Sequence, residues 1–384
     1  MKNQNGLVYI GVNDHEIDLF EGQYEVPNGM AYNSYLLLDE KIAVFDTVDK
    51  NFCTQWLSNL ENALMGKTPD YLIVSHMEPD HSACINCFAE KYPSAVIVAS
   101  ARAFIMMKNF FGTDFADRKL TVTDGTDLCL GKNTLTFVTA PMVHWPEVIM
   151  TYNKTDKTLF SADAFGKFGA LDVDEEWACE ARRYYFGIVG KYGDQVQNLF
   201  KKISGLEIST ICPLHGPILT ENLNYYLDLY NTWSSYGVES DGILICYTSV
   251  YGNTKKAVEI LQEKLTQKGV SKVVVNDLAR CDMAEAVEDA FRYGKIVLAT
   301  TTYNNDVFPF MREFIHHLLE RNFQNKTIGF IENGSWAPTA NKIMRTAFEK
   351  SKNLTVIENS VSILSAINDK NLAELDLLAD SLVK

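Results

Sequence analysis

Short apolar runs separated by polar turns dominate the chain up to about residue 233: Leu7–Ile10, Ser34–Leu38, Ile42–Phe45, Tyr71–Val74 and Ala95–Val98, then Thr134–Val138, Val148–Tyr152 and Thr158–Ser161. Their length and their β-branched and aromatic content predict strands. Helical spacing of apolar residues intervenes at Phe52–Met65, Ser82–Lys91 and Ala101–Phe111. Strands and helices mixed in this way predict a layered α+β domain of the αββα kind. The pattern changes at Trp233–Gly242, a polar connection punctuated by glycine. Beyond it, strands at Ile243–Tyr247, Lys272–Val275, Ile296–Thr300, Thr327–Ile331 and Leu354–Ile357 alternate with helices at Thr254–Gln267, Met283–Phe291, Phe308–Glu320, Thr339–Ser351 and Lys370–Leu382. Strict alternation is the grammar of an α/β doubly wound parallel sheet. The expected domains are therefore 1–238 and 242–384.

Composition narrows the class. At 384 residues and 47% hydrophobic content, two domains can each bury a core. A formal charge of −14 without long basic runs argues against nucleic acid or an anionic membrane as main partner. No apolar run approaches the length of a membrane span, and the start Met1–Gly6 lacks the apolar core of a signal peptide, so a soluble, cytoplasmic protein is expected. Eight scattered cysteines in such a chain are expected to be reduced thiols. Cys84 and Cys87 form the one Cys-x-x-Cys pair. With no second pair to complete a knuckle, their helical spacing beside Ile85 and Phe88 reads as packing, and a fused rubredoxin-type iron site is excluded.

The densest chemistry lies in Ser75-His76-Met77-Glu78-Pro79-Asp80-His81-Ser82, directly after the Tyr71–Val74 run. Pro79 is expected to stop regular strand or helix. In an extended segment His76, Glu78 and Asp80 start on one side while His81 points elsewhere, an arrangement that suits two adjacent metals better than one. Three further candidate ligands also follow β-rich runs: His144, Asp163 and His215. Singly each reads as a structural residue. Together they place four of the seven histidines at strand ends beside carboxylates, whereas His15, His316 and His317 sit in solvated or helical contexts.

The second half carries a different constellation. Cys246 and Tyr247 end a strand, and Thr248-Ser249-Val250-Tyr251-Gly252-Asn253-Thr254 turns from it into a helix, a phosphate site without lysine in which hydroxyls and backbone amides supply the donors. Neither a G-x-G-x-x-G fingerprint nor a P-loop is present, which disfavours NAD and ATP. Loops after the third and fourth strands supply Thr301, Thr302, Tyr303, Asn304 and Asn305, then Asn333, Gly334, Ser335 and Trp336. Tyr303 and Trp336 offer faces for a planar ring, although either could simply cap the domain.

His76-x-Glu78-x-Asp80-His81 followed by His144, Asp163 and His215 resembles the metallo-β-lactamase-fold domain of flavodiiron proteins, and the Thr248–Thr254 loop resembles their flavodoxin-like FMN domain. The resemblance covers the whole chain. Hydrolases of the fold usually carry His where this chain has Glu78, and a carboxylate there favours iron over zinc. The resemblance implies two irons, with His76, Glu78 and His144 on one, Asp80, His81 and His215 on the other, and Asp163 between them. It further implies FMN, reduction of O2 to water or NO to N2O, a head-to-tail homodimer or dimer of dimers, and a separate electron donor such as rubredoxin. A metal-dependent hydrolase with a regulatory flavodoxin domain is the alternative, and a flavin carrier with a vestigial metal domain is a third reading. Tyr184, Tyr185 and Tyr192 could approach the metals and Trp145 could wall the pocket, but each also reads as packing.

Overall fold

The computed structural model describes residues 6–384; Met1–Asn5, part of the stretch read above for a leader, lies outside them. The chain divides into two compact units, Met1–Tyr230 and Asn231–Lys384. That division falls inside the helix Leu223–Ser234, ahead of the glycine-rich end of the connection.

Period-two alternation builds the first unit, because successive strand side chains face opposite sides. One sheet runs in the order Leu7–Tyr9, Tyr35–Leu37, Ala43–Phe45, Tyr71–Ile73, Val96–Ala99, Lys119–Thr121, and the other in the order Asp127–Cys129, Thr134–Thr139, Ile149–Asn153, Thr158–Phe160, Thr210–Cys212. Tyr35, Leu37, Ala43, Phe45, Ile73 and Val98 from the first sheet meet Leu135, Phe137, Ile149, Phe160 and Cys212 from the second in one buried cluster. At its centre the Phe45 and Phe160 rings stack 3.8 Å apart at 10°. Helices close the sandwich, each burying a stripe at helical spacing: Trp56, Leu60 and Leu64 on Cys53–Leu64, and Ala103, Phe104 and Met107 on Ala101–Phe111. The second of these is capped by the Ser100 hydroxyl and stopped by Gly112 at φ +73°.

Strand direction decides where chemistry can gather. Ala43–Phe45 is parallel to Tyr71–Ile73, and Thr158–Phe160 is parallel to Thr210–Cys212. Two antiparallel pairings return Thr134–Thr139 to the direction of Thr158–Phe160. The segments carrying His144, Asp163 and His215 therefore leave the second sheet at one edge, and those after Phe45 and Ile73 leave the first sheet together.

The expectation for Pro79 needs correction. Proline does not end regular structure here but opens a short helical turn, Pro79–Ser82, at its first position, where a missing N–H costs nothing. A second helix, Ile85–Lys91, follows, so the expected Ser82–Lys91 helix is two pieces. Two-residue strands Leu19–Phe20 and Tyr24–Glu25 form a hairpin too short to register as a periodic pattern.

The second unit is a parallel sheet in which Ser240–Tyr247 lies between Val273–Asp277 and Tyr293–Tyr303, followed by Thr327–Asn333. In chain order that is 2-1-3-4, completed by a fifth position split into Thr355–Val356 and Val361–Ile363, the flavodoxin-like order. The sequence pattern predicts only the first half of that split strand, because polar Glu358-Asn359-Ser360 interrupts it. Helix Asn253–Gln267 buries Ala257, Val258, Leu261 and Leu265 and helix Asp369–Val383 buries Leu375, Leu378, Ala379 and Leu382 in the same core as Ile245, Val297 and Ile331. Among the described residues no helix is long and apolar enough to cross a membrane.

Phe160→Ala should destabilise the first unit by about 3–5 kcal/mol through the cavity it leaves against Phe45. Denaturant unfolding followed by near-UV circular dichroism measures the loss.

Candidate dimetal and flavin sites

The turn at Pro79 sorts the ligands of the first loop. His76 and Glu78 precede it in extended chain; Asp80 and His81 follow it inside a helical turn and face a different partner. Asp80 therefore leaves the side shared by His76 and Glu78, contrary to simple alternation. The result is two clusters whose ligand atoms lie within 4.8 Å of one another, His76–Glu78–His144–Asp163 and Asp80–His81–His215.

In the first cluster the Nε2 atoms of His76 and His144 stand 3.2 Å apart, and Glu78 Oε2 lies 3.3 Å and 3.1 Å from them. In the second the Nε2 atoms of His81 and His215 stand 2.9 Å apart, with Asp80 Oδ2 at 3.3 Å and 3.4 Å. Asp163 addresses both: Oδ2 is 2.9 Å from His144 and 3.4 Å from His76, whereas Oδ1 is 3.4 Å from His81.

Hydrogen bonds from outside fix which ring nitrogen points inward. His76 Nδ1 donates to Glu147 Oε1 at 2.8 Å, and the same oxygen accepts Met77 N–H at 2.9 Å. His215 Nδ1 donates to the Ala31 carbonyl at 2.8 Å. With Nδ1 so occupied, Nε2 presents its lone pair to the cluster. Asp46 Oδ1 accepts the Ser75 and His76 N–H groups at 2.7 Å and 3.4 Å, while Thr47 donates its N–H (2.8 Å) and its hydroxyl (2.7 Å) to the His81 carbonyl. Non-glycine residues with positive φ crowd these loops: Asp46 (+54°), Met142 (+65°), Ala162 (+51°) and Phe165 (+67°). Each such position costs on the order of 1–3 kcal/mol and persists only when its surroundings enforce it.

The donor set has the chemistry of a cation site. Asp80 and Asp163 are buried, yet none of their four carboxylate oxygens accepts a hydrogen bond, and the Nδ1 of His81 is equally unpartnered. Burial opposes charge on Asp163, but His76, His144 and His81 overcome it and hold the carboxyl well below the usual range. Burial pulls His76 and His144 down, and the carboxylates around them, Asp163 foremost among the charges, more than reverse this, raising His76 strongly and His144 to about 9. Burial keeps His81 down at about 4 with the help of His215, so its imidazole is neutral. Imidazole nitrogens and hard carboxylate oxygens facing one another across two gaps fit two divalent iron ions.

Of the aromatic candidates, Trp145 packs its ring 5.1 Å from His76 and 6.0 Å from His144 and so walls the first cluster. Tyr184 is fully buried, its ring lies 5.4 Å from His215, and its hydroxyl has no hydrogen-bond partner. Burial, then the charges of Asp163, Glu78 and Asp80, push its pKa well up. Tyr185 packs instead on Phe186 and Tyr230, each 5.1 Å away, and Tyr192 is half-buried beyond a π-helical turn, Tyr185–Val189. Glu147, Asp46 and Thr47 are functional residues that sequence reasoning missed. Asp46 carried a usable signal, since it follows Ile42–Phe45 just as His76 follows Tyr71–Val74.

In the second unit the carboxyl ends of three strands surround a cavity of about 640 Å³. Ser249, Val250, Tyr251, Asn253, Thr254, Thr301, Thr302, Tyr303, Asn304, Asn305, Asn333, Gly334, Ser335 and Trp336 line it, joined by Ala337 and Ser365, which the sequence did not suggest. Two expected residues do not line it. Thr248 is buried with its hydroxyl 2.7 Å from that of Thr300, and Gly252 turns the chain at φ +89° into helix Asn253–Gln267. Ser249 Oγ accepts the Gly252 and Lys255 N–H groups at 3.1 Å and 3.3 Å, tying the loop to the helix start. Thr302 Oγ1 accepts the Thr339 and Ala340 N–H groups, and Asn333 pairs with the Ser365 backbone through both amide atoms. Tyr251 and Trp336 are 94% and 90% exposed, so their rings are available to a planar ligand at the rim. Volume, hydroxyl-lined helix start and rim aromatics suit a phosphorylated flavin.

An αββα sandwich with a carboxylate-rich dimetal pocket, joined to a flavodoxin-type sheet, defines a flavin- and metal-dependent oxidoreductase. Residues 30–216 match the ODP family beta lactamase model and residues 244–360 match a flavodoxin domain. The chain thus pairs the two domain types that flavodiiron structures combine, and its donor set and its cavity fit a diiron centre and FMN. It is 29% identical to the nitric oxide reductase of Moorella thermoacetica, over 91% of this chain and 89% of that one. It is also 29% identical to the anaerobic nitric oxide reductase flavorubredoxin of Salmonella arizonae, over 87% of this chain and 72% of that one. Among solved structures, the rubredoxin oxygen:oxidoreductase of Desulfovibrio gigas superposes with a TM-score of 0.92 at 23% identity, covering 100% of this chain and 97% of that one. The flavodiiron protein of Giardia intestinalis gives 0.91 at 22%, covering 98% and 94%.

Glu147→Gln should lower iron affinity by about 10–100-fold, because a neutral amide oxygen holds His76 Nδ1–H more weakly and no longer enriches its Nε2. Iron release to a chelator, compared with wild type at equal thermal stability, measures the effect.

Proposed function

We propose that this protein takes electrons through FMN and reduces nitric oxide to nitrous oxide, dioxygen to water, or both. The observation that carries the reading is Asp163 holding one oxygen toward each of two facing ligand trios. On this reading His76, Glu78 and His144 would hold one iron and Asp80, His81 and His215 the other, with Asp163 shared between them. The Thr248–Thr254 loop, Thr301–Asn305 and Asn333–Trp336 hold FMN. When bound, the two irons and the flavin supply the stored electrons and open coordination positions that reduction of a diatomic molecule requires.

The chain's own residues set the conditions for that chemistry. Glu147 and Ala31 lock two imidazoles with Nε2 inward, so little reorganisation accompanies metal binding. Trp145, Phe20 and Tyr184 enclose the ligands in aromatic surface; the Phe20 and Tyr184 rings lie 5.5 Å and 5.4 Å from that of His215. Such surface excludes water from a pocket meant for a small apolar gas. The Tyr184 hydroxyl, with no protein acceptor, is free to donate a hydrogen bond to an oxygen arriving between the clusters.

Further parts of the reading rest on the names of the relatives and on distance requirements for electron transfer. The protein acts in the cytoplasm with domains at 1–238 and 242–384, receives electrons from rubredoxin or a similar redox protein, and works as a head-to-tail homodimer or dimer of dimers. In that assembly the flavin of one chain serves the diiron centre of its partner.

Purified protein is expected to hold close to one FMN and two irons per chain, and anaerobic stopped-flow should show the reduced form reoxidised by nitric oxide, dioxygen or both. Zinc with hydrolytic turnover would refute the reading. Glu78→His should weaken iron retention or abolish reductase turnover; unchanged iron content and rate would remove the weight placed on that carboxylate. Cross-chain transfer is tested by mixing a His81→Ala chain with a Thr254→Asp chain, where turnover should reappear in the heterodimer.

A further inference from the structure

Behind His215 lies the short gap between strands Met30–Tyr32 and Tyr35–Leu37, where the chain leaves its pairing with Val12–Asp14 and joins the first sheet. Ala31, just before the gap, accepts His215 Nδ1–H at 2.8 Å. Asn33, inside it, is fully buried and grips the chain on both sides of the same histidine. Its amide Nδ2 donates to the Pro213 carbonyl at 2.9 Å and to the Gly216 carbonyl at 2.7 Å, and its backbone N–H donates to the Leu214 carbonyl at 2.8 Å. An asparagine residue has three N–H donors, and here all of them go to the residues flanking one ligand.

Tyr9 decides which way that amide faces. Its hydroxyl donates to Asn33 Oδ1 at 3.0 Å, which leaves Nδ2 for the two carbonyls; the flipped amide would set its oxygen against both of them. Tyr9 is itself held in register opposite Tyr35, their rings 5.9 Å apart edge to face, and the Tyr35 hydroxyl adds a second donor to the Pro213 carbonyl at 2.6 Å. An asparagine that bonds backbone carbonyls is ordinarily structural. Asn59 is such a case in the same unit, donating to the Gly11 carbonyl at 3.1 Å and the Ile10 carbonyl at 3.4 Å, neither beside a ligand.

We propose that Asn33, its amide aimed by Tyr9, is a positioning residue that fixes how far His215 Nε2 reaches toward His81 and Asp80, and so sets the affinity of that trio for its metal ion. The inference rests on the reading of the two trios as a dimetal site. His76 is held by charge, through Glu147, whereas His215 is held by geometry alone: its ring by one neutral carbonyl and its backbone by Asn33. A metal site tolerates displacement of a ligand by only about 0.5 Å. Removing the Asn33 donors takes a partner from the Gly216 and Pro213 carbonyls while the Ala31 bond to the ring remains, so the loop is free to pivot about that one contact. The other trio has no bond to Asn33, and Glu147 continues to hold it.

The test titrates the full-length, FMN-loaded chain, stripped of metal and kept without oxygen, with cobalt(II), reading d–d absorption and, by native mass spectrometry, the ions bound per chain. Two backgrounds isolate the halves: His144→Ala keeps the trio of Asp80, His81 and His215, and His81→Ala keeps the trio of His76, Glu78 and His144. Asn33→Ser should weaken cobalt binding by about 10–100-fold in the His144→Ala background and leave it unchanged in the His81→Ala background. Tyr9→Phe, a near-isosteric change, should give a smaller loss with the same selectivity, and Asn59→Ala should alter neither half. Equal losses in both backgrounds would show a merely structural role and overturn the proposal. So would unchanged affinity of Tyr9→Phe in the His144→Ala background, a result that stands even where Asn33→Ser does not fold. A chain without substitutions that takes up fewer than two cobalt ions would overturn the dimetal reading, and the proposal with it.

Discussion

Three carboxylates and four imidazoles share one pocket, and the cost of that burial organises the first unit. An ionised carboxylate removed from water without compensation loses on the order of several kcal/mol, and the Asp80 and Asp163 oxygens take no hydrogen bond in return. Compensation must come from positive charge at the two gaps, so every ligand has to be delivered to one place. Two sheets accomplish this because the ligand-bearing segments leave parallel-running strands at the same edge. Their mutual position rests on an apolar interior with Phe45 against Phe160, far stiffer than any loop. Strained residues such as Ala162, next to Asp163, and Asp46, which holds the N–H groups of Ser75 and His76, show that interior paying locally for loop geometry.

What the sequence made legible follows from how local each signal is. Apolar alternation over a few residues is local, and so the strands Tyr71–Ile73, Thr158–Phe160 and Ser240–Tyr247 lie where the pattern put them. The ligands were legible because each sits directly behind such a strand. Glu147 was not: it is bound to His76 across 71 residues of chain, and nothing in its neighbourhood distinguishes it from a surface glutamate. Pro79 misled because proline forbids an interior helical position but favours the first one, and no local rule separates the two cases in a four-residue turn. In the second unit the loops around the cavity were legible as strand ends, whereas the turning of the Thr248 hydroxyl away from it was not, because that direction depends on Thr300 in a neighbouring strand.

The supports behind the two ligand trios are unequal, and the inequality bears on how the pocket treats its ions. By ligand type the trios match, each with two imidazoles and one carboxylate, and Asp163 divides its oxygens between them. Behind them they differ. His76 leans on the carboxylate of Glu147, which makes its Nε2 a stronger electron donor, whereas His215 leans on the neutral Ala31 carbonyl and His81 Nδ1 has no partner. The pKa directions carry the same asymmetry: His76 is held far up and His81 down at about 4, each for stated electrostatic reasons. The first trio therefore offers the more electron-rich nitrogen and the second the more weakly supported ones. The weaker side is also where the Tyr184 ring meets His215 and where Thr47 ties His81 to the cysteine segment. Unequal support of matched ligands gives a pocket two distinguishable halves without changing a single coordinating residue, and that difference is written entirely in groups outside the ligand set.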